Sequence, residues 1–254
     1  MASLYHASVN ISNLEQLAMQ KSIIHKIHPM AKLISAIVYI VVVISFSYKN
    51  ITGLVPFIFY PVILISLANI PYKFLLKRTV IALPFSLMAG ISNIIFMPFT
   101  DGMISFVAVM LKTFLTVFAA LILIATTPFT EITHQLNILR IPKILCLLIV
   151  MTYRYLSVLM TEAFIMHTAY ILRSHKQNGI KLKDIGFFLG QLVLKSFDRA
   201  ERVYNSMKCR GFDGTYYGKY SGMRISDIVY IVVVAGLAIF LRVFNLSLFI
   251  GGII

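Results

Sequence analysis

The sequence predicts an all-α integral membrane protein of about five membrane-spanning helices, with two long cytoplasmic helices between spans four and five. Three observations lead there. Hydrophobic residues make up 59% of the 254 and charged residues only 13%, against roughly 45–50% and about 25% in soluble domains, so a soluble fold could not cover its own surface. Apolar, nearly charge-free runs recur at the length of about 20 residues that a bilayer core demands. The remaining charge is one-sided, 23 Lys and Arg against 9 Asp and Glu for a net of +14, as positive cytoplasmic loops and anionic headgroups favour. No RNA- or DNA-binding motif accompanies the excess, so no nucleic-acid partner is expected.

The elements follow in chain order. A polar segment with Lys21, His25, Lys26 and His28 precedes the first apolar run and no small-residue cleavage pattern follows it, so a short cytoplasmic tail is expected rather than a signal peptide. Span one is predicted over Ala31–Tyr48, with Lys32 snorkelling to the inner boundary. Span two covers Ile51–Ile70, and a basic loop, Pro71–Arg78, carries Lys73, Lys77 and Arg78. Span three lies within the uncharged stretch Thr79–Thr100, and an outer loop surrounds Asp101. Span four, Met103–Thr127, holds one charge, Lys112, expected to snorkel or to face a membrane partner. The last span, Ile228–Ile250, is broken only by Arg242. An N-terminus on the cytoplasmic side places every basic cluster inside with five spans and sends the C-terminus out. The expected division is thus residues 1–128, the tail and four spans; 129–225, a cytoplasmic region; and 226–254, the final span.

The middle region is the most informative. Thr127 to Ser226 contains fourteen Lys or Arg. Thr127–Pro128 reads as a helix start. A helical pattern from Pro142 to Ser174 is strongly apolar over Ile144–Met151 and then carries Arg154, Glu162 and Arg173. It is expected to lie along the cytoplasmic boundary and then leave it, although a sixth span is the alternative. Asn178–Gly179 closes it as a turn, and a second helix from Lys183 to Arg210 ends at Gly211. Met166, Tyr170 and Arg173 share one face of the first helix; Val203, Met207 and Arg210 share one face of the second. Each helix is therefore an apolar stripe tipped by a guanidinium. Such a tip suits a hydrophobic groove with a carboxylate at its end. A simpler role, an arginine complementing the helix dipole, needs no partner at all.

The stretch Arg199-Ala200-Glu201-Arg202-Val203-Tyr204, followed by Met207 and Arg210-Gly211-Phe212, closely resembles the signature of the energy-coupling factor (ECF) transporter T component of the CbiQ type. Tyr153-Arg154-Tyr155-Leu156 with Arg173-Ser174 resembles that family's preceding helix. The family places two short Arg-centred motifs, Ala-Arg-Ser or Ala-Arg-Gly, at the ends of two cytoplasmic coupling helices. Here they correspond to Leu172-Arg173-Ser174 and Cys209-Arg210-Gly211, with Leu172 and Cys209 in place of alanine. The resemblance implies that each coupling helix docks on one of two ATP-binding ABC-type ATPase subunits. It also implies a substrate-binding membrane S subunit, a multi-pass location in the cell membrane, and a role as transmitter rather than enzyme. The CbiQ type implies cobalt uptake serving cobalamin synthesis, with nickel or a vitamin as alternatives.

The residues agree with that division of labour. The chain has no GxxxxGK[ST] phosphate loop of its own. No cofactor or metal site is expected: His25 and His28 read as residues of a basic tail, and the single Glu131-x-x-His134 lacks the partners that a carboxylate metal bundle needs. Gly186 and Gly190 form a GxxxG through which the two helices could cross closely. Cys146 and Cys209 stand far apart in no CxxC pair, so no disulfide is expected. A lipid-metabolism enzyme would need paired acids at the boundary, and Glu162, Asp198 and Glu201 are scattered. A stand-alone secondary transporter would need ionisable sites at mid-membrane. Pro56, Pro61, Pro84 and Pro98 supply breaks, but the charges are lacking.

Overall fold

The computed structural model describes residues 17–20, 22–48, 51–96, 98–138, 141–174, 180–214 and 222–243. Lys21, the turn at Asn178–Gly179, and the N-terminal and C-terminal stretches, including the last span beyond Val243, lie outside them. Every regular element among the described residues is helical: α1 (Pro29–Ile44), a 3-10 segment (Thr52–Ile58) leading into α2 (Phe59–Ala68), α3 (Tyr72–Thr79), a 3-10 turn (Val80–Ala82), α4 (Leu83–Phe96), α5 (Phe99–Thr126), α6 (Phe129–Ile138), α7 (Lys143–Arg173), α8 (Leu182–Cys209) and α9 (Ile225–Val243). They fall into two compact units. One contains α6, α7 and α8; the other contains α1 to α5 with α9.

Four helical stretches are long and apolar enough to cross a bilayer: Tyr72–Phe96, Phe99–Thr126, Lys143–Arg173 and Ile225–Arg242. Pro29–Ile44 and Thr52–Ala68 are apolar but shorter. Prolines shape the second of these. Pro56 lies inside the 3-10 segment and has no N–H to offer an α-helical ladder. Asn69 ends α2 in the left-handed region (φ 54°, ψ 35°), which asparagine tolerates better than most residues.

Two expectations are corrected here. The basic stretch Pro71–Arg78 is not a loop but the start of a helix, because Leu75 and Thr79, one turn apart, are both buried while Lys73 and Lys77 stay exposed. The helix then tightens at Val80–Ala82: Pro84 lacks the N–H that Val80 O would accept, and Leu83 N bonds it instead. Asp101 is not in an outer loop; it sits in the first turn of α5, where a carboxylate complements the helix dipole. α7 is one unbroken helix of 31 residues. Its stretch from Ile144 to Leu159 carries a single charge, Arg154, so by length and composition it meets the requirement for the alternative sixth span as well as for a boundary helix.

The spanning unit has two apolar cores. Tyr39, Val42 and Val43 of α1, with Phe46 just past its end, meet Leu54 and Phe57, Leu115 and Ala119 of α5, and Ala238 of α9. Leu64 and Ala68 of α2 meet Leu75 of α3 and Phe118, Ile122 and Ala125 of α5. Tyr39 stacks on Tyr60 (4.3 Å between centroids) and its hydroxyl donates to Phe57 O at 2.9 Å. The α4–α5 hairpin closes on small residues: a Cβ at Gly102 would stand 2.9 Å from Ile94 Cα, and one at Gly90 2.6 Å from the Phe106 ring. Asn93 donates to Ser105 across the same seam at 2.9 Å. Without water to solvate loose polar groups, such close backbone approach and interhelical bonding hold spans together.

The lysines also differ from expectation. Lys32 does not snorkel: it is 4% exposed and donates to Thr126 O, the C-terminal carbonyl of α5, at 2.9 Å. Lys112 of α5 in turn donates to Ile44 O at 3.2 Å and to Phe46 O, at the C-terminal end of α1. The two helices are antiparallel, and each lends a cation to the negative end of the other. The N-terminal ends of α1 and α9 are joined as neatly. Asp227, 5% exposed, accepts His28 N on Oδ1 (3.0 Å) and Arg224 N on Oδ2 (2.8 Å), so one carboxylate serves two helix N-termini.

Candidate functional site

The predicted site residues all lie on the unit of α6 to α8. α7 and α8 run in opposite senses: Tyr170 pairs with Asp184, Glu162 with Lys195, and Arg199 lies 5.8 Å from the centre of the Tyr155 ring. The Tyr170 hydroxyl donates to Asp184 Oδ2 at 2.6 Å, and Asp184 belongs to the first turn of α8. One turn beyond Tyr170 comes Arg173, the last residue of α7; Ser174 then turns extended (φ −90°, ψ 103°) while its N–H still reaches Tyr170 O at 2.9 Å. Leu172 is 81% exposed and Arg173 is exposed. Arg173 and Ser174 border an open groove of about 860 Å³ between the two helices, floored by Phe187 and Phe188 and flanked by Lys181 and Lys195.

The second motif closes α8. Phe212 N bonds Met207 O and Gly211 N bonds Lys208 O, each at 3.0 Å, and Gly211 holds φ +80°. This is the Schellman arrangement, in which the glycine takes the left-handed position. A side chain there would be strained by roughly 1–2 kcal/mol, although nothing stands within 4 Å of the Cβ position. Gly211 is thus required by the turn, and it leaves Cys209 and Arg210 exposed at the helix end. Among the described residues neither Arg173 nor Arg210 forms an ion pair.

Two features follow from this geometry. Arg173 lies beside the first turn of α8 and Arg210 at its last, so the two tips are separated by about the length of that helix, roughly 40 Å for 28 residues. No residue of α8 is buried. Phe187 (80% exposed) and Phe197 (69%) stand in solvent or lipid with Leu182, Leu194 and Tyr204; a contiguous apolar face of this kind marks an interaction surface. The suggested close crossing at Gly186 and Gly190 is absent, since nothing lies within 4 Å of a Cβ at either.

Other sequence features resolve into structural roles. With Nε2 donating to Leu17 O (3.0 Å), the His25 ring accepts the Ser22 hydroxyl on Nδ1 (2.7 Å), and burial lowers its pKa against the opposing bond to Leu17. His28 caps α1 by accepting Met30 N at 3.2 Å. Among the described residues no three His, Cys, Asp or Glu side chains gather to hold a metal ion. Cys146 is buried and Cys209 exposed, both as free thiols.

Residues 20–220 match the family described as "Cobalt transport protein", CbiQ. The chain belongs to the CbiQ family. Two curated relatives extend over most of both chains. One, the energy-coupling factor transporter transmembrane protein EcfT of Bacillus subtilis, is 24% identical over 87% of this chain and 94% of its own length. The other, an uncharacterised protein of Methanocaldococcus jannaschii, is 26% identical over 83% of this chain and 78% of its own. A shorter match, 32% identical over 91 residues and 33% of the relative, is to the nickel permease LarQ of Lactiplantibacillus plantarum. This CbiQ-family chain is a multi-pass protein of the cell membrane.

Proposed function

We propose that the chain is the transmembrane coupling subunit of an ATP-driven ECF-type importer, with cobalt ion as the transported substrate. Two ABC-type ATPase subunits take Arg173 and Arg210, one each, and a substrate-binding S subunit sits in the membrane beside the coupling helices. The observation that carries this reading is the placement of two exposed, Arg-tipped helix ends, one closing α7 and one closing α8, about the length of the amphipathic, unburied α8 apart. One compact partner could not readily grip both tips, whereas two copies of an ATPase could. When ATP draws the two ATPases together, the tips must follow, and the apolar face of α8 moves with them against the S subunit.

The orientation belongs to the same proposal. Lys73 and Lys77 of α3, the N-terminal ends of α1 and α9, and both arginine tips share the cytoplasmic side, with α7 at the boundary. Residues Leu172, Arg173, Ser174, Cys209, Arg210 and Gly211 form the coupling site. The relative's name, energy-coupling factor transporter transmembrane protein, supports the role; the family description supports cobalt, and the nickel permease match supports nickel as the alternative cation in the same role.

Purification of the tagged chain from its native membrane tests the proposal. Two ATPase polypeptides and a small membrane protein are expected to co-purify, and vesicles holding the assembly accumulate cobalt only with ATP. The chain stripped of its partners turns over no ATP. Turnover by the stripped chain, or purification without any ATPase, would contradict the reading.

A further inference from the structure

Two cations converge on the C-terminal end of α1. Lys112 donates to Ile44 O and Phe46 O. Arg242, in the last turn of α9, donates to Ser45 O at 3.1 Å and Val42 O at 3.4 Å, and its guanidinium lies 5.0 Å from the centre of the Phe46 ring. A helix C-terminus carries only about half a negative charge. One cation already exceeds that, so two leave roughly one and a half positive charges in excess. Among the described residues no carboxylate forms an ion pair with either. Donors also remain. A guanidinium has five N–H groups and an ammonium three; two of each are used on carbonyls, leaving most of one fork and one ammonium hydrogen for an acceptor.

Depth identifies the acceptor. Lys112 stands fourteen residues before the end of α5 and Arg242 seventeen after the start of α9, about 21 and 26 Å along the helices. Against a hydrocarbon core about 30 Å thick, Arg242 lies about 4 Å and Lys112 about 9 Å inside the face remote from the basic helix α3, depths from which long cationic side chains reach toward headgroup phosphates. The exposed side chains around them, Val41, Ile44 and Ile239, are apolar, as befits a surface against acyl chains. We propose that Lys112 and Arg242 form a binding site for the phosphate of an anionic phospholipid in that leaflet. The lipid neutralises the surplus charge and fixes the outer end of the α1–α5–α9 contact. This inference is independent of the coupling role.

Native mass spectrometry of the full chain in mild detergent, with added phosphatidylglycerol or phosphatidylcholine, reads the site directly. Wild type is expected to retain one phosphatidylglycerol about tenfold over phosphatidylcholine, whose choline cation offsets its own phosphate and so cannot neutralise the surplus charge, a difference of about 1.4 kcal/mol. Lys112→Gln with Arg242→Gln brings that ratio close to one, while Lys73→Gln with Lys77→Gln, on the opposite face, leaves it unchanged. Should the neutral pair fail to fold, Arg242→Gln alone keeps the Lys112 cap and still lowers the ratio severalfold, and Arg242→Lys restores most of it. An unchanged ratio in the Arg242→Gln or paired variant, or no preference in wild type, overturns the proposal. So does inorganic phosphate that protects the wild type in phosphatidylcholine as well as phosphatidylglycerol does, which would assign the site to the free ion.

Discussion

Replacing Arg173 and Arg210 together by alanine is expected to abolish transport while the chain still inserts and folds. Both side chains are exposed and neither forms an ion pair among the described residues, so the isolated chain loses nothing by their removal. In the assembly each tip would meet an acidic group in an ATPase groove. Truncating one partner of a buried charge pair costs about 2–5 kcal/mol, partly because the other charge is left unpaired. At about 1.4 kcal/mol per tenfold, either single alanine weakens association with the ATPases by well over tenfold. Arg→Lys is also impaired if the contact is a planar fork, since an ammonium cannot reproduce it. Lys73→Ala, an equally exposed cation on α3, is the control and transports normally. Uptake and co-purified ATPase, measured on the same membranes, separate loss of coupling from loss of protein.

Asp227 gives the largest expected effect on stability. Its two oxygens take different donors, His28 N and Arg224 N, and the carboxylate lies between the positive N-terminal ends of α1 and α9. Asp227→Ala leaves the buried His28 N–H and the part-buried Arg224 N–H without their acceptor. With charge-assisted bonds worth about 1.5–3 kcal/mol each, the loss is roughly 3 kcal/mol or more. Asn is a poor substitute, because it has one carbonyl oxygen and turns an amide N–H toward the second donor. Thermal unfolding in detergent should therefore show Asp227→Asn nearly as destabilised as Asp227→Ala, whereas Asp101→Asn, a dipole-complementing residue at an exposed helix start, changes little. Full recovery by asparagine would contradict the shared-carboxylate account.

Local signals made some elements readable and hid others. The limits of α8 and its glycine stop follow from amphipathic period and one left-handed position, which the chain carries within itself. The tips at Arg173 and Arg210 were legible for the same reason. The helix at Tyr72–Thr79 was masked because three basic residues in eight look like a loop until Leu75 and Thr79 find their burial against α5. A local window offers Lys32 only snorkelling and Lys112 only snorkelling or a membrane partner; their reciprocal capping depends on the antiparallel register of α1 and α5, which no local window contains. Asp227 was invisible for the same reason, since its partner His28 is 199 residues away. The roughly 40 Å separation of the tips needed only the length of α8, but their placement at opposite ends of it needed the Tyr170–Asp184 contact.

The most direct measurement of the central claim is photocrosslinking from the two helix ends. A benzophenone amino acid at Leu172, and a benzophenone maleimide on the native Cys209 thiol, place reactive groups at exposed positions beside Arg173 and Arg210. In native membranes each position is expected to yield an adduct with an ATPase subunit, and a chain carrying both probes should yield a product with two ATPases attached. Arg173→Ala suppresses the adduct from position 172 alone, and Arg210→Ala that from position 209 alone. Adducts only with lipid or with the small membrane subunit from both positions would contradict the coupling account and leave the two arginines as helix-end charges.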